Sequence, residues 1–344
     1  MFSKIILNQT YLHNNINCIK KIVNNKQICV MVKAEAYGHG AKEVVNILNK
    51  DIDYFGVSNQ TEAEEIRPET DKHIIVFGAC DNYLECMKQD ISFALFSYND
   101  AKNIIKLAKK NSLYPRFHLC INSGMNRYGV KKIKDYVKIL NLLLKNNIEL
   151  EGIYTHFSSL TTDESYTERQ KKIFYEFISL LPKNWKTIKH IGGGRSIFTD
   201  IDTDMYRVGL ECYGYGNEFV KPVMSIKSRI VDIQKVNHGE HVGYLCGFTA
   251  SKDMLVATIP LGYGDGLPRK LSNKLVIKIN GKDAKSTGNI CMDAFMVDIT
   301  DINCKIGDTV TILENASLLA PLIESTEYEV LTNFNKFRGE RVII

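Results

Sequence analysis

From residue 11 to about 215, short apolar runs alternate with segments of helical period. A strand buried on both faces reads as a continuous apolar run, whereas a helix lying on a sheet shows apolar positions three or four apart. On that basis strands are predicted over 28–32, 54–57, 74–77, 93–96, 117–121, 152–155, 187–191 and 205–210. Between them, stretches such as 101–110, with Ile104, Ile105 and Leu107 on one side, and 131–145, rich in Ile, Leu and Val, are long enough to serve as crossover helices. Eight strand-then-helix units over roughly two hundred residues make an α/β chain with a (β/α)8 TIM barrel, whose chemistry sits at the carboxyl ends of the strands.

After Pro222 the pattern changes. Apolar and polar residues alternate between Asn-Gly turn signals, as in the stretch 275–281, so a C-terminal mostly-β domain is predicted. The expected division is 1–220 for the barrel and 221–344 for the β domain. No internal repeat or flexible linker is visible, so close packing of the two is expected.

Composition narrows the function classes. A hydrophobic fraction of 44% is that of an ordinary globular protein. The net charge of +5 is spread along the chain, with no basic stretch interleaved with aromatics, which argues against nucleic acid as a partner. The first residues turn polar too soon for a signal peptide, and no apolar run approaches membrane length, so a cytoplasmic protein is expected with no membrane partner. Nine cysteines at scattered positions fit neither a disulfide framework nor a zinc site; most are expected to be buried thiols, and no metal is expected.

Lys33 closes the apolar run 28–32 and opens a loop, which places it at the barrel mouth. An amine at the end of an apolar strand is partly desolvated, which favours its neutral, nucleophilic form. The segment 32–40, Val-Lys-Ala-Glu-Ala-Tyr-Gly-His-Gly, resembles the cofactor-lysine motif of the alanine racemase family, with Glu35 where that family usually carries Asp or Asn. Further matches follow in order along the chain, so the resemblance covers essentially its whole length.

The resemblance implies a pyridoxal 5'-phosphate enzyme of fold type III in which Lys33 forms the Schiff base and Tyr37 contributes to the cofactor site. After strand five, the loop 123–129 looks like the one that carries an Arg toward the cofactor's phenolic oxygen and the substrate carboxylate, a role that falls to Arg127. A guanidinium suits both, since it stays protonated and donates two parallel bonds. After strand six, His156 corresponds to the His that packs on the pyridine ring. After strand seven, Gly193 and Gly194 lie in a triple-glycine turn able to present backbone N–H groups to a phosphate. On strand eight, Arg207 corresponds to the Arg facing the pyridine nitrogen, and Gly209 and Leu210 to residues whose N–H groups hold phosphate. A permanently charged donor there leaves that nitrogen unprotonated and weakens the cofactor as an electron sink, limiting transamination and decarboxylation.

Racemisation removes a proton from one face of the α-carbon and delivers one to the other, so two acid–base groups are the simplest design. Lys33 is one. Tyr244, in the segment 240–244, resembles the family's opposing base; alone it is one of seventeen tyrosines. Its phenolate would be supported by His156, itself bonded to Arg207. By resemblance Tyr244 reaches into a partner's barrel, giving a homodimer with a shared active site. Tyr263 and Arg269 lie in a segment matching GYxDGxxR, where the Tyr lines substrate access and the Arg supports the active-site Arg. Met292 and Asp293 match the segment whose Met N–H binds the substrate carboxylate and whose Asp orients the site, and Tyr328 corresponds to a tyrosine near the phosphate and the entrance.

The implied activity is interconversion of L- and D-alanine, supplying D-alanine for peptidoglycan. The alternative is a serine or broad-specificity amino-acid racemase of the same fold. A non-catalytic pyridoxal-phosphate carrier would lack the second domain, and the related barrel decarboxylases place a Glu where this chain has Arg207. The chain also departs from the family. Cys120 stands where many relatives have a carbamylated Lys, which leaves Arg127 to be steadied by another anion such as chloride. Asn122 replaces an Asp, and Gly193 and Gly194 replace the usual small polar residues.

Overall fold

A computed structural model describes residues 2–24, 26–199 and 201–344. The chain forms two compact units: Asn15–Ala34 with Val44–Cys212, and the segment up to Asn14 with Glu35–Glu43 and Tyr213–Ile344.

The first unit is the barrel. Its eight strands, in order, are Gln27–Met31, Tyr54–Val57, His73–Val76, Ser92–Leu95, Phe117–Cys120, Gly152–Thr155, Ile188–Ile191 and Met205–Val208. The first seven pair in parallel, each with its sequence neighbour, and the eighth pairs in parallel with the first, with Cys29 opposite Arg207. The seam between the seventh and eighth strands is tied by Asp204, whose N–H donates to the Lys189 carbonyl at 2.8 Å while its Oδ2 accepts from the Lys189 N–H at 2.8 Å. The strands fall within two residues of the apolar runs, as expected where both faces are buried. The eighth ends at Val208, so Gly209 and Leu210 lie beyond it at the mouth.

The helices follow the same logic. Tyr98–Lys110 buries Ala101, Ile104, Ile105 and Ala108, and Ser97 caps it by accepting from the Asp100 N–H. Ile133–Lys145 buries Tyr136, Ile139, Leu140 and Leu143. Inside the barrel, Cys29, Tyr54, Ile75 and Met205 form one apolar cluster and Ala94, Cys120 and Tyr154 another.

The second unit is mostly β. Its largest sheet has six strands in the order Lys282–Lys285, Val276–Ile279, Thr309–Leu313, Met224–Arg229, Lys4–Leu7 and Glu340–Ile343. The N-terminal strand is thus built in among C-terminal ones. Asn280 and Gly281 both take positive φ, 49° and 80°, which is the turn that an Asn-Gly signal between two alternating strands specifies.

Candidate active site

Lys33 stands two residues past the first barrel strand, and the backbone after it is unusual. Ala34, Glu35, Ala36 and Tyr37 adopt φ of 51°, 52°, 51° and 56°, and Gly38 follows at 85°. A left-handed turn of L-residues costs about 1–2 kcal/mol per residue and persists only where its surroundings fix it. Glu62 supplies part of that fixing: Oε1 accepts from the Ala34 N–H at 2.8 Å, and Oε2 accepts from the Ser58 N–H and hydroxyl, each at 2.8 Å. Glu35 accepts from the Ala41 N–H at 3.0 Å, which explains an acidic residue at this point of the motif. Gly38 is required twice over, by its φ and because a Cβ there would overlap the Leu331 carbonyl oxygen.

The Lys33 amine is half-buried. Burial lowers its proton affinity first, and the charges of Arg127 and Arg207 lower it further, against the opposing pull of Glu62. The strand-end desolvation expected from sequence is therefore reinforced by two guanidinium groups.

Arg207 organises the barrel interior. It is 5% exposed, and its Nη1 donates to His190 Nδ1 at 2.8 Å and to the His190 carbonyl at 2.9 Å. Nη2 donates to the Thr155 carbonyl at 2.7 Å and to His156 Nδ1 at 3.4 Å. The guanidinium lies over the rings of Tyr154 and Phe77, 5.2 and 5.6 Å from their centroids. Because arginine only donates, His190 Nδ1 must accept, so its proton sits on Nε2 and is donated to His118 Nδ1 at 2.8 Å. His118 then carries its proton on Nε2, 3.5 Å from Glu151, which is paired with Arg116 at 2.7 Å. One permanent donor thus sets the tautomers of a buried chain of two histidines.

His156 is held neutral for the same reason. Burial, then the charges of Arg207, Arg127 and Lys33, push its pKa down to about 3. Its ring lies against the glycine loop, where a Cβ on Gly193 would stand 3.2 Å from His156 Cε1. Arg127 is exposed on the loop after the fifth strand, and Asn122 shapes that loop by accepting from the N–H groups of Gly124 at 3.2 Å and Asn126 at 3.0 Å. Cys120 is buried and its thiol is pushed up to about 11, chiefly by burial, so it carries no charge toward Arg127. At the glycine loop, Gly193 and Gly194 follow the seventh strand as expected. The Gly209 N–H, expected above to face phosphate, pulls the buried carboxyl of Glu211 toward ionisation.

The second unit carries the remaining residues. Tyr37 is buried there, its ring 5.8 Å from that of Tyr328 and 5.3 Å from that of Tyr213. Tyr244, 70% exposed, follows Gly243 at φ 76° and precedes Leu245 and Cys246, both left-handed. It lines a cleft of about 700 Å³ with Tyr263, Arg269 and Ile290. The backbone around Met292 is tied to this segment, since its carbonyl accepts from the Gly264 N–H at 2.9 Å. Asp293 pairs with Arg338 at 2.8 Å, and Arg338 also grips Asp265 at 2.7 and 3.0 Å.

Sequence reasoning missed Glu62, Tyr154, Glu151, Glu211 and Arg338. His190 alone carried a signal, standing at a strand end in the segment that supplied the glycine loop.

Comparison with solved structures gives the class first. The alanine racemase of Clostridium difficile 630 covers 100% of this chain and the match spans 96% of that chain, with a TM-score of 0.93 at 30% identity. The Acinetobacter baumannii alanine racemase superposes with a TM-score of 0.86 at 26% identity, covering 99% of each chain. The molecule is therefore a two-domain barrel racemase, an isomerase. Among sequence relatives, the Clostridium kluyveri alanine racemase is 34% identical over 94% of this chain and 90% of its own length, and the Helicobacter pylori alanine racemase is 32% identical over 99% of each. The family models for the alanine racemase N-terminal and C-terminal domains match residues 7–217 and 223–343. The chain belongs to the alanine racemase family.

Proposed function

We propose that this enzyme interconverts L- and D-alanine with pyridoxal 5'-phosphate, using Lys33 and Tyr244 as its two proton-transfer groups, in a homodimer whose active sites are shared. The observation that carries the reading is the barrel mouth: a half-buried Lys33 amine of lowered proton affinity beside Arg207 and a neutral His156.

The donor set suits the cofactor. A neutral amine is the form that attacks an aldehyde, a glycine loop lets backbone approach an anion, and Arg207 is a donor whose proton does not leave. Arg207 is assigned to the pyridine nitrogen, His156 to the face of the ring, Arg127 to the phenolic oxygen and substrate carboxylate, and Gly193, Gly194, Gly209, Leu210, Tyr37 and Tyr328 to the cofactor and its phosphate. When bound, the cofactor supplies an electron-withdrawing ring that acidifies the Cα–H of an attached amino acid. Lys33 Nζ then takes or returns the proton on one face. Tyr244 Oη, from a second copy of the chain, does so on the other. Met292 and Asp293 orient the substrate, and Tyr263 lines its access.

Dimerisation is supported by the exposure of Tyr244, Leu245 and Met292, at 70%, 84% and 51%, since large apolar side chains grouped at one functional segment ordinarily find cover. On this reading 1–220 binds the cofactor and 221–344 supplies the opposing tyrosine. All nine cysteines are free thiols, which fits a cytoplasmic enzyme that feeds cell-wall synthesis.

Incubation with L-alanine and chiral chromatography tests the activity, with formation of D-alanine expected. Rates on L-serine and L-lysine decide between an alanine enzyme and a broader racemase. Absence of turnover by protein whose visible spectrum shows bound cofactor would refute the proposal.

A further inference from the structure

Glu211 lies three residues beyond the eighth barrel strand, and it is 2% exposed. The backbone N–H groups of Gly209 and of Glu211 itself pull the carboxyl toward ionisation. One of its oxygens, Oε2, is buried without a hydrogen-bond partner. That oxygen points at Gly194, so closely that a Cβ on residue 194 would overlap it. The carboxyl therefore occupies the space between the two backbone segments, 193–194 and 209–210, assigned above to the cofactor phosphate. The smallness of Gly194 and the presence of Glu211 are one arrangement: the side chain missing from the loop is replaced by one arriving from the other strand end.

An ionised carboxylate and a phosphate dianion cannot share this space without repulsion in a poorly solvated site. A protonated carboxyl has the opposite character, because it donates an O–H where phosphate offers acceptors. Resting on the cofactor reading above, we propose that Glu211 is a phosphate ligand in its neutral form, donating from Oε2 to a phosphate oxygen, so that wherever the cofactor-free carboxyl is ionised, binding of pyridoxal phosphate draws a proton from solution. Burial already favours the neutral carboxyl; the pull toward ionisation comes from those two N–H groups and from exposed Arg195. The remaining titratable neighbour, Cys212, is a fully buried thiol that burial keeps protonated. The residue is a positioning and affinity determinant for the cofactor, and proton transfer at the α-carbon does not involve it.

The test is titration of cofactor-free protein with pyridoxal phosphate, followed by visible absorbance from pH 6.5 to 8.5, for the natural chain and for Glu211→Gln. The amide donates at every pH, and the pH dependence contributed by Lys33 is common to both proteins, so their affinity ratio isolates Glu211. The expected result is that the natural chain weakens relative to Glu211→Gln by up to about tenfold per pH unit once the carboxyl ionises. With pyridoxal, which lacks the phosphate, the ratio should stay flat. A ratio independent of pH for pyridoxal phosphate overturns the inference while leaving the cofactor assignment intact. Failure of the natural chain to bind either compound overturns both. A second pair of variants checks the packing: Gly194→Ser should lose cofactor affinity, and Glu211→Ala in the same chain should restore it. Equal affinities for Gly194→Ser with and without Glu211→Ala count against the shared space.

Discussion

Lys33 and Arg207 in the barrel and Tyr244 in the second unit stand in opposite states. At the barrel mouth, Arg207 is 5% exposed, its donors are committed to His190, Thr155 and His156, and burial, then the neighbouring guanidinium charges, already lower the proton affinity of Lys33. In the second unit Tyr244 is 70% exposed, Met292 51% and Tyr263 39%, and what is fixed is the strained backbone turn at Leu245 and Cys246 and the side-chain grip of Arg338 on Asp265 and Asp293. Low-dielectric surroundings magnify charge effects. The barrel has therefore already tuned Lys33 and His156, while the second unit holds its segment in place. On the homodimer proposed above, a second copy would cover Tyr244.

The largest expected effect lies on the tuned side. On the proposed mechanism Lys33→Ala would remove both the cofactor anchor and one proton-transfer group, and racemase activity should fall by at least about 10⁴-fold. Chiral chromatography of D-alanine reads the loss, and visible absorbance should show the cofactor no longer held. Retention of either would place the chemistry elsewhere.

Next comes the positioned side. Tyr244→Phe keeps the ring and deletes only the hydroxyl, so cofactor binding should persist while kcat drops by about 10²–10⁴-fold in at least one direction. If the variant bound cofactor normally and racemised alanine at the natural rate, the exposed half would be a structural surface and the comparison between the units would fail.

This asymmetry also decided what could be seen from sequence. The barrel strands were legible because burial on both faces writes an apolar run, and the Asn280-Gly281 turn because positive φ at two positions selects those residues. Lys33 and the glycine loop could be placed at strand ends from the apolar runs, and Arg207 on the eighth strand through the family resemblance. The residues that hold them could not. Glu62 caps the turn after Lys33 from 28 residues away, Glu151 ends a relay that starts at Arg207, and Glu211 meets Gly194 across 17 positions. Such partners obey no local period, because only the fold brings them together. Nor did any pattern announce the left-handed turn from Ala34 to Tyr37, since propensity disfavours it at every one of those residues.

A third change sharpens the claim that the barrel interior is a single polar construction. Arg207→Leu leaves the Thr155 carbonyl and His190 without their buried donor, and replaces a cation that stacks on Tyr154. The expected cost is about 1–3 kcal/mol, the range for leaving buried acceptors without their donor. Chemical denaturation of the cofactor-free protein measures it. A loss below about 1 kcal/mol would mean that the guanidinium serves the ligand alone and contributes little to holding the barrel.

The smallest effect is graded in pH. His156 titrates at about 3 and His190 well below its ordinary value, both mainly because burial disfavours the imidazolium. An unfolded chain binds those protons near pH 6.5, so between about 6.5 and 3 it holds more protons than the folded one, and stability falls as pH falls. Each histidine should contribute about 1.4 kcal/mol per pH unit well inside that window. For a chain of this size that corresponds to a melting temperature lower by about 2–5 °C per unit. Glu151, whose carboxyl is held below the usual range against the cost of burial by His118, Arg116 and Ser92, adds its own loss only when the pH drops below ordinary carboxylate values. Melting curves between pH 6.5 and 5 therefore report the buried histidines, among them His39 of the second unit, which burial pushes down to about 4. His156→Asn should flatten the slope by one proton's worth, and His238→Asn, on the exposed surface of the second unit, should leave it unchanged. Equal flattening by both would show that acid sensitivity does not reside in the barrel.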